Sequence, residues 1–292
     1  MSLSATYKRL CKTIAKYSLR LLFLLLIGLI MSCSILSIFA EKIIFQPPRW
    51  KGMPEQHFYI DSGTERVACL YYPGSMPYVI LYSHGNAEDL SSVRHKLRAY
   101  QEQGFSVIGY DYQGYGASSG KPSVAGACRN IEAVYKYLLE ERKMKPQQIL
   151  ATSYSVGGGP ACWLAGNYPI GGLILEAPFA SAFQAVLPFA GFPGDRFLNQ
   201  EHIQKCQAPL LIIHGTKDRI VPVRNGKKLY RLAAGPKKLV LVPKAGHYDY
   251  ADLLGDAYWQ HYHDFVYQLE QETLPKNSKK PDKTTETDKP DI

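Results

Sequence analysis

Short apolar runs alternate with amphipathic stretches through the middle of this chain, and that alternation restricts the fold more than any other feature. The runs are YVILYS (78–83), FSVIGYD (105–111), QILATS (148–153), GLILEA (172–177), PLLIIHG (209–215) and KLVLVP (238–243). Each is apolar almost throughout, as a strand must be when both faces of its sheet are covered. Ahead of them HFYID (57–61) and RVACLYY (66–72) read as two strands around a turn at Asp61-Ser62-Gly63. Helical stretches lie between. Residues 124–142 set Cys128, Ile131, Val134 and Leu138 at helical spacing, and a last helix near 251–270 carries Leu253, Leu254, Tyr258, Phe265 and Leu269. The pattern predicts an α/β fold, with a mostly parallel central sheet and helices on both faces. A length of 292 residues, 46% of them hydrophobic, supports a core of that size.

The N-terminus is of another kind. Residues 1–20 hold Lys8, Arg9, Lys12, Lys16 and Arg20 and no acid. Residues 21–40, LLFLLLIGLIMSCSILSIFA, carry no charge, and the run is long enough to span a bilayer as a helix. The preceding cations predict a cytoplasmic N-terminus with the rest of the chain on the far side, periplasmic or lumenal. An uncleaved signal anchor is the first reading. The second is a lipoprotein signal: Ile30-Met31-Ser32-Cys33 resembles a lipobox, with Cys33 lipidated after cleavage. At the other end, residues 272–292 balance five lysines against five acids, and 275–292 hold one apolar residue and three prolines, so the tail is expected to be disordered. A globular domain over 43–271 remains.

Charge excludes some functions. Of a net +9, the first twenty residues supply five and the tail none, leaving a mild excess in the middle with no basic run interleaved with aromatics. Nucleic-acid binding is not indicated. The six cysteines, at 11, 33, 69, 128, 162 and 206, form no CxxC pair and keep no company with histidine, so no metal site is expected. Cys128 and Cys162 fall on apolar helix faces and read as buried thiols.

One constellation carries chemistry. Ser153-Tyr154-Ser155-Val156-Gly157 stands between a strand and a helix start, where a sharp turn lifts a nucleophile above the sheet edge. A serine hydroxyl needs a base, and the base a carboxylate to orient it. Asp218 follows PLLIIHG and His247 follows KLVLVP, both just past the C-terminal ends of strands and in the chain order Ser, acid, His. His84 and His214, each in an HG pair, read as structural hydrogen-bonders near the site. His261 and His263 read as surface residues, and Asp111 as the cap of a turn before Gly114. An oxyanion would need preorganised donors. The backbone N–H of Val156 is one candidate; the N–H of Asn86 is the other, with Ala87 as its alternative. The helix starting near Val156 would add its positive dipole end.

On these residues the chain resembles the α/β-hydrolase superfamily, and within it the lid-poor branch of bud-emergence-type hydrolases and protein depalmitoylases. The likeness spans roughly 43–270. It rests on SHGNAEDL, DYQGYGASSGKPS (111–123), SYSVGGGPA, LILEAPFAS, HGTKDRIVP and GHYD, in family order. The resemblance implies an α/β-hydrolase fold with a small lid, and catalytic roles for Ser155, Asp218 and His247. Ser153 departs from the usual glycine, and Tyr248 stands where the branch often has asparagine. The depalmitoylases' palmitoylated cysteine cluster is absent, which argues against a cytosolic depalmitoylase role.

The expected activity is cleavage of a carboxylic ester or thioester by a serine hydrolase that needs no cofactor. The stretch 178–208 would form the lid; its Phe179, Phe183, Val186, Leu187, Phe189 and Phe192 would either pack over the sheet or line an acyl pocket. A serine peptidase of the same fold is the nearest alternative, though no cap insertion to read a free amine is evident. A membrane-tethered binding protein with a dead site would lack one of the three residues, and all three are present.

Overall fold

In the computed structural model the described residues are 16–18, 20–23, 28, 41–52, 57–185 and 194–273. The apolar runs become eight strands: β1 (Phe58–Ser62), β2 (Glu65–Tyr72), β3 (Val79–Ser83), β4 (Ser106–Tyr110), β5 (Ile149–Tyr154), β6 (Gly172–Glu176), β7 (Leu210–Gly215) and β8 (Lys237–Val242). They form one sheet in the order β1-β2-β4-β3-β5-β6-β7-β8. β1 and β2 form an antiparallel hairpin whose loop is Gly63-Thr64, with Gly63 at φ 68°, a conformation glycine adopts without steric cost. β2 is antiparallel to β4, and every later pairing is parallel. Strands β3 to β7 are buried along their whole length, while β1 and β8 at the edges are partly exposed. The continuous apolar runs of the inner strands are explained by that double coverage.

β3 pairs with β4 on one side and β5 on the other. The chain leaves β3 in one direction and crosses back over it to reach β5. Strand order reverses there, and the turns after β3 and β5 face each other at the carboxyl ends of the strands, where open α/β sheets form their crevices.

The helices start where capping residues stand. Asp89 caps α1 (Leu90–Glu102): its carboxylate accepts from Ser92 N at 2.9 Å while Ser92 Oγ accepts from Asp89 N at 2.9 Å. Leu90, Val93, Leu97 and Tyr100 make its buried stripe. Ser123 caps α2 (Val124–Glu140), which buries Cys128, Ile131, Val134 and Leu138, the set expected from spacing. A fully buried leucine or isoleucine of this kind contributes roughly 2 kcal/mol. The later helices are α3 (Gly158–Asn167), α4 (Asn199–Lys205), α5 (Arg224–Leu232), α6 (Tyr250–Leu254) and α7 (Asp256–Thr273).

The chain forms two compact units, Met1–Leu254 and Gly255–Ile292. The first holds the sheet and α1 to α6. The described part of the second is α7, on which Tyr258, Tyr262, Phe265, Val266 and Leu269 are buried at helical spacing. The single last helix expected near 251–270 is thus two helices. Gly255 breaks it at φ 53°, a left-handed value that a continuing helix cannot contain.

The apolar stretch 21–40 lies almost entirely outside the described residues; of it only 21–23 and 28 are described, and they are helical. Among the described residues no helix is long and apolar enough to cross a membrane. Cys11 and Cys33 also lie outside them. The other four thiols, of Cys69, Cys128, Cys162 and Cys206, are free and buried, and burial pushes the Cys128 thiol up to about 12. In the stretch after β6, Phe179 and Phe183 are buried, with Phe179 against Phe197 at 6.2 Å between ring centroids, whereas Val186, Leu187, Phe189 and Phe192 lie outside the described residues. At the C-terminus α7 runs through Thr273, into the stretch expected to be disordered, and 274–292 lie outside the described residues.

Candidate active site

The turn from β5 into α3 is the centre of the site. Ser155 has φ 51°, in the left-handed region that costs a non-glycine residue roughly 1–2 kcal/mol. A short 3-10 turn over Ser155–Gly157 follows, and α3 continues from it. Gly157 sits against the preceding turn so closely that a Cβ there would overlap the carbonyl oxygen of Ser83. Only glycine fits. Ser153, in the place where glycine is usual, is fully buried at the end of β5, and its hydroxyl has no partner among the described residues.

Two loops converge on Ser155. The loop after β7 supplies Asp218. Its Oδ1 accepts the backbone N–H groups of Ile220 at 2.9 Å and Val221 at 2.8 Å, which aims Oδ2 at His247. The loop after β8 supplies His247, whose Nδ1 lies 2.7 Å from Asp218 Oδ2 and whose Nε2 lies 3.0 Å from Ser155 Oγ. An ionised Asp218 can only accept, so Nδ1 carries the proton and Nε2 is left to accept from the serine hydroxyl. Asp218 and His247 are each 6% exposed, so this series of hydrogen bonds is shielded from water except at Ser155.

Burial alone would raise the pKa of Asp218. Hydrogen bonds from His214 and His247, the electrostatic pull of the His247 ring and the Val221 N–H outweigh it and hold the carboxyl well below its usual range. His214 stands 3.3 Å from Asp218 Oδ2 and 2.8 Å from the Val221 carbonyl oxygen, bracing the acid loop from behind. The signal for it in the sequence was the HG pair at the end of β7.

Opposite lies the turn 84–87. His84 is fully buried, with Nδ1 2.9 Å from the Gly85 carbonyl oxygen and Nε2 3.5 Å from Asp111. Burial lowers its pKa, but Asp111 and the Gly85 carbonyl prevail and the net shift is upward. Asn86 does not hold its side chain free. Its Oδ1 accepts from Gln46 N at 2.9 Å and from the Tyr115 hydroxyl at 2.9 Å, and Tyr112 donates to the His84 carbonyl at 2.6 Å. The loop Asp111–Gly120 therefore clamps the turn from one side. Ala87 takes φ 56° to complete it. The candidate donors are the backbone N–H groups of Asn86 and Val156. Both belong to turns that meet at Gly157, and the start of α3 lies beside them.

Several sequence expectations change. Asp111 does not cap the turn before Gly114. Its Oδ1 accepts from Leu90 N at 2.8 Å, at the start of α1, and its Oδ2 from Ala117 N at 3.3 Å, because the carboxylate is buried between the two segments. His261 and His263 are half-buried rather than exposed. Tyr154 was not foreseen as part of the site. Its hydroxyl donates to the His247 carbonyl at 3.2 Å and its ring lies 5.2 Å from the imidazole. Tyr248 is 74% exposed and meets His247 edge-on at 5.1 Å. Among the described residues no group of three or more His, Cys, Asp or Glu side chains is placed to hold a metal ion.

Comparison with known proteins gives a consistent picture. Residues 75–192 match the family described as "Serine aminopeptidase, S33". The chain is 33% identical over 212 residues to alpha/beta hydrolase domain-containing protein 17B of Homo sapiens, covering 71% of this chain and 73% of that one. It is 31% identical over 243 residues to the uncharacterized protein YfhR of Escherichia coli (strain K12), covering 78% and 85%. Among solved structures, the Pyrococcus furiosus esterase Pf2001 superposes with a TM-score of 0.65 at 14% identity, covering 76% of this chain and 99% of that one. Est1E of Butyrivibrio proteoclasticus, solved with ferulic acid, gives 0.60 at 19% identity, covering 72% and 99%. At such identities these two likenesses concern the fold alone.

The depressed Asp218 predicts a pH signature. A lowered carboxyl pKa contributes stability that is complete above the unfolded value, near about 3.9, and is lost as pH falls through the folded value. Asp218→Asn lacks that contribution. The difference in Tm between wild type and Asp218→Asn should be constant near neutrality and shrink as pH is lowered below about 4. Calorimetric melts across that range check it; a difference independent of pH would mean that Asp218 is not held as an anion.

Proposed function

The chain belongs to the α/β-hydrolase superfamily, in its depalmitoylase-like branch, and from that premise we propose that it cleaves carboxylic esters or thioesters through an acyl-enzyme on Ser155. One observation carries the reading: the unbroken hydrogen-bonded series Asp218–His247–Ser155, ending on a serine in a left-handed turn. In this mechanism Ser155 Oγ attacks the acyl carbon as its proton passes to His247 Nε2. Asp218 keeps the imidazole oriented and stabilises the imidazolium. The N–H groups of Val156 and Asn86 receive the oxyanion, aided by the start of α3. His247 then protonates the departing alcohol or thiol. Water, deprotonated by the same nitrogen, attacks the acyl-enzyme and releases the acid.

A fluorophosphonate probe tests the nucleophile. We expect a single adduct on Ser155, absent from Ser155→Ala and slowed roughly 10³-fold or more in His247→Ala. Peptide mass locates it. No adduct on the folded protein would favour a binding protein with an inactive site, and an adduct on Ser153 would move the elbow two residues upstream.

For the substrate we infer an acyl chain, in keeping with the depalmitoylase-like branch; Phe179 itself packs in the core against Phe197. A second reading, a peptidase acting on N-terminal residues, is favoured by the description of the family matched over 75–192. A series of p-nitrophenyl esters set against aminoacyl p-nitroanilides separates the two. The acyl reading expects octanoyl esters to outpace acetyl esters and the anilides to be inert. Equal ester rates count against an apolar pocket, and turnover of the anilides would put the peptidase first.

We place the hydrolase unit at a membrane, held by residues 21–40 with the unit on the periplasmic or lumenal side. The support is the uncharged apolar run behind five cations. The intact mass of the protein isolated from membranes decides its form. A mass equal to that of residues 1–292 means an uncleaved anchor, a lipid-modified chain starting at Cys33 means a lipoprotein, and recovery only in the soluble fraction removes the membrane altogether.

A further inference from the structure

Beneath His247 lies a buried polar cluster that the proposed chemistry does not use. Tyr154 and Glu176 are direct neighbours across β5 and β6, so their side chains share one face of the sheet. Tyr82 on β3 shares that face through its pairing with Thr152, two residues before Tyr154. Glu176 is fully buried. Lys96, reaching down from α1, places Nζ 2.6 Å from Glu176 Oε2 and 5.2 Å from the ring centroids of both Tyr82 and Tyr154. Burial works against the Lys96 charge, yet Glu176 more than offsets it and the lysine pKa is raised.

The cluster is tied to the loop that carries His247 at two points. The Tyr154 hydroxyl donates to the His247 carbonyl oxygen, and its ring backs the imidazole at 5.2 Å. Three residues on, the Tyr250 hydroxyl donates to Glu176 Oε2 at 2.8 Å. Between these tethers Asp249 closes the loop on itself, its carboxylate accepting from Gly246 N at 2.6 Å. The imidazole has hydrogen bonds of its own to Asp218 and Ser155, but both partners sit on other loops. The start of this loop is held to the segment after β7, where Lys217 N donates to the Ala245 carbonyl at 2.8 Å; its far part, 247–250, is tied to the ends of β5 and β6.

We propose that Tyr154 and the Lys96–Glu176–Tyr250 cluster are positioning residues for His247. They pin its loop to the two strand ends so that Nδ1 and Nε2 reach Asp218 and Ser155 together. Lys96 serves as the counter-ion that allows Glu176 to be buried and to accept from Tyr250. None of the four touches the reacting atoms. The inference rests on the reading of His247 as the base, and its test is chosen to be read apart from activity.

The readout is the low-field proton resonance of His247 Nδ1–H, the proton shared with Asp218, recorded on the full-length protein in detergent. Tyr154→Phe and Tyr250→Phe keep side-chain volume and remove only the tethers; Lys96→Met strands Glu176 and can fail to fold, so Lys96→Arg is made as its conservative rescue. We expect a sharp resonance in the wild type and in Lys96→Arg. In the Tyr154→Phe/Tyr250→Phe double variant it should broaden by exchange while thermal melting stays close to wild type. Fluorophosphonate labelling of Ser155 should fall roughly 10- to 100-fold in the double variant, the scale of a misplaced catalytic group. A resonance unchanged in the double variant overturns the proposal, as does its absence from the wild type. Whether the wild type labels at all tests only the role of Ser155, and the resonance judges the positioning by itself.

Discussion

Everything at the candidate site depends on one crowded turn. The chain leaves β5, places Ser155 in a left-handed conformation and enters α3 within three residues. The conformation is unfavourable for serine, and it persists because its surroundings leave no alternative. Gly157 lies against the Ser83 carbonyl, and Gly159 lies under the ring of Phe197, where a Cβ would again overlap. A relaxed turn would push one of these backbones into its neighbour. Strain at Ser155 is thus held by close packing on both sides, and the hydroxyl it lifts is the one group of the Asp218–His247–Ser155 series that faces outward.

Around that turn the protein solves a second problem, the burial of many polar groups. The site is enclosed by loops, and each buried polar group needs a partner. Tyrosine does much of this. Tyr110 shares a hydrogen bond with Ser83, Tyr112 donates to the His84 carbonyl and Tyr115 to Asn86. The rings of Tyr110, Tyr112 and Tyr115 pack edge-to-face among themselves, so one set of side chains fills the core and satisfies the turn after β3. Asp111 does the same for the start of α1. The electrostatics follow from this enclosure. Asp218 is kept ionised by the donors that surround it, and its charge in turn selects the tautomer of His247 that can accept from serine.

Much of the architecture was legible in the chain because the signals were local. Strands β3 to β8 appeared as apolar runs within a residue or two of their bounds, and α2 as an apolar stripe of Cys128, Ile131, Val134 and Leu138. The break at Gly255 was missed because a single glycine inside a helical period reads equally as a tolerated residue or as a stop. Asp111 was misassigned because the choice between capping a nearby turn and capping α1 depends on which backbone N–H groups fold over it. Tyr154 carries no signal of its role, since nothing in the pentapeptide says which loop will cross above its ring.

The sequence by itself determined the class of fold, the chain order of Ser155, Asp218 and His247, and their location at strand ends. Those properties follow from hydrophobic period and from where turn residues interrupt it, and both are written along the chain. Only the tertiary structure decided that Asp218 and His247 would meet at 2.7 Å, that His214 would brace the acid from behind, and that Lys96 on α1 and Glu176 on β6, eighty residues apart, would pair beneath the His247 loop. Such contacts depend on the order in which strands lie side by side. That order is set by the chain's crossing over β3 on its way from β4 to β5 and by the packing of α1 on the sheet, and no local stretch of sequence contains it.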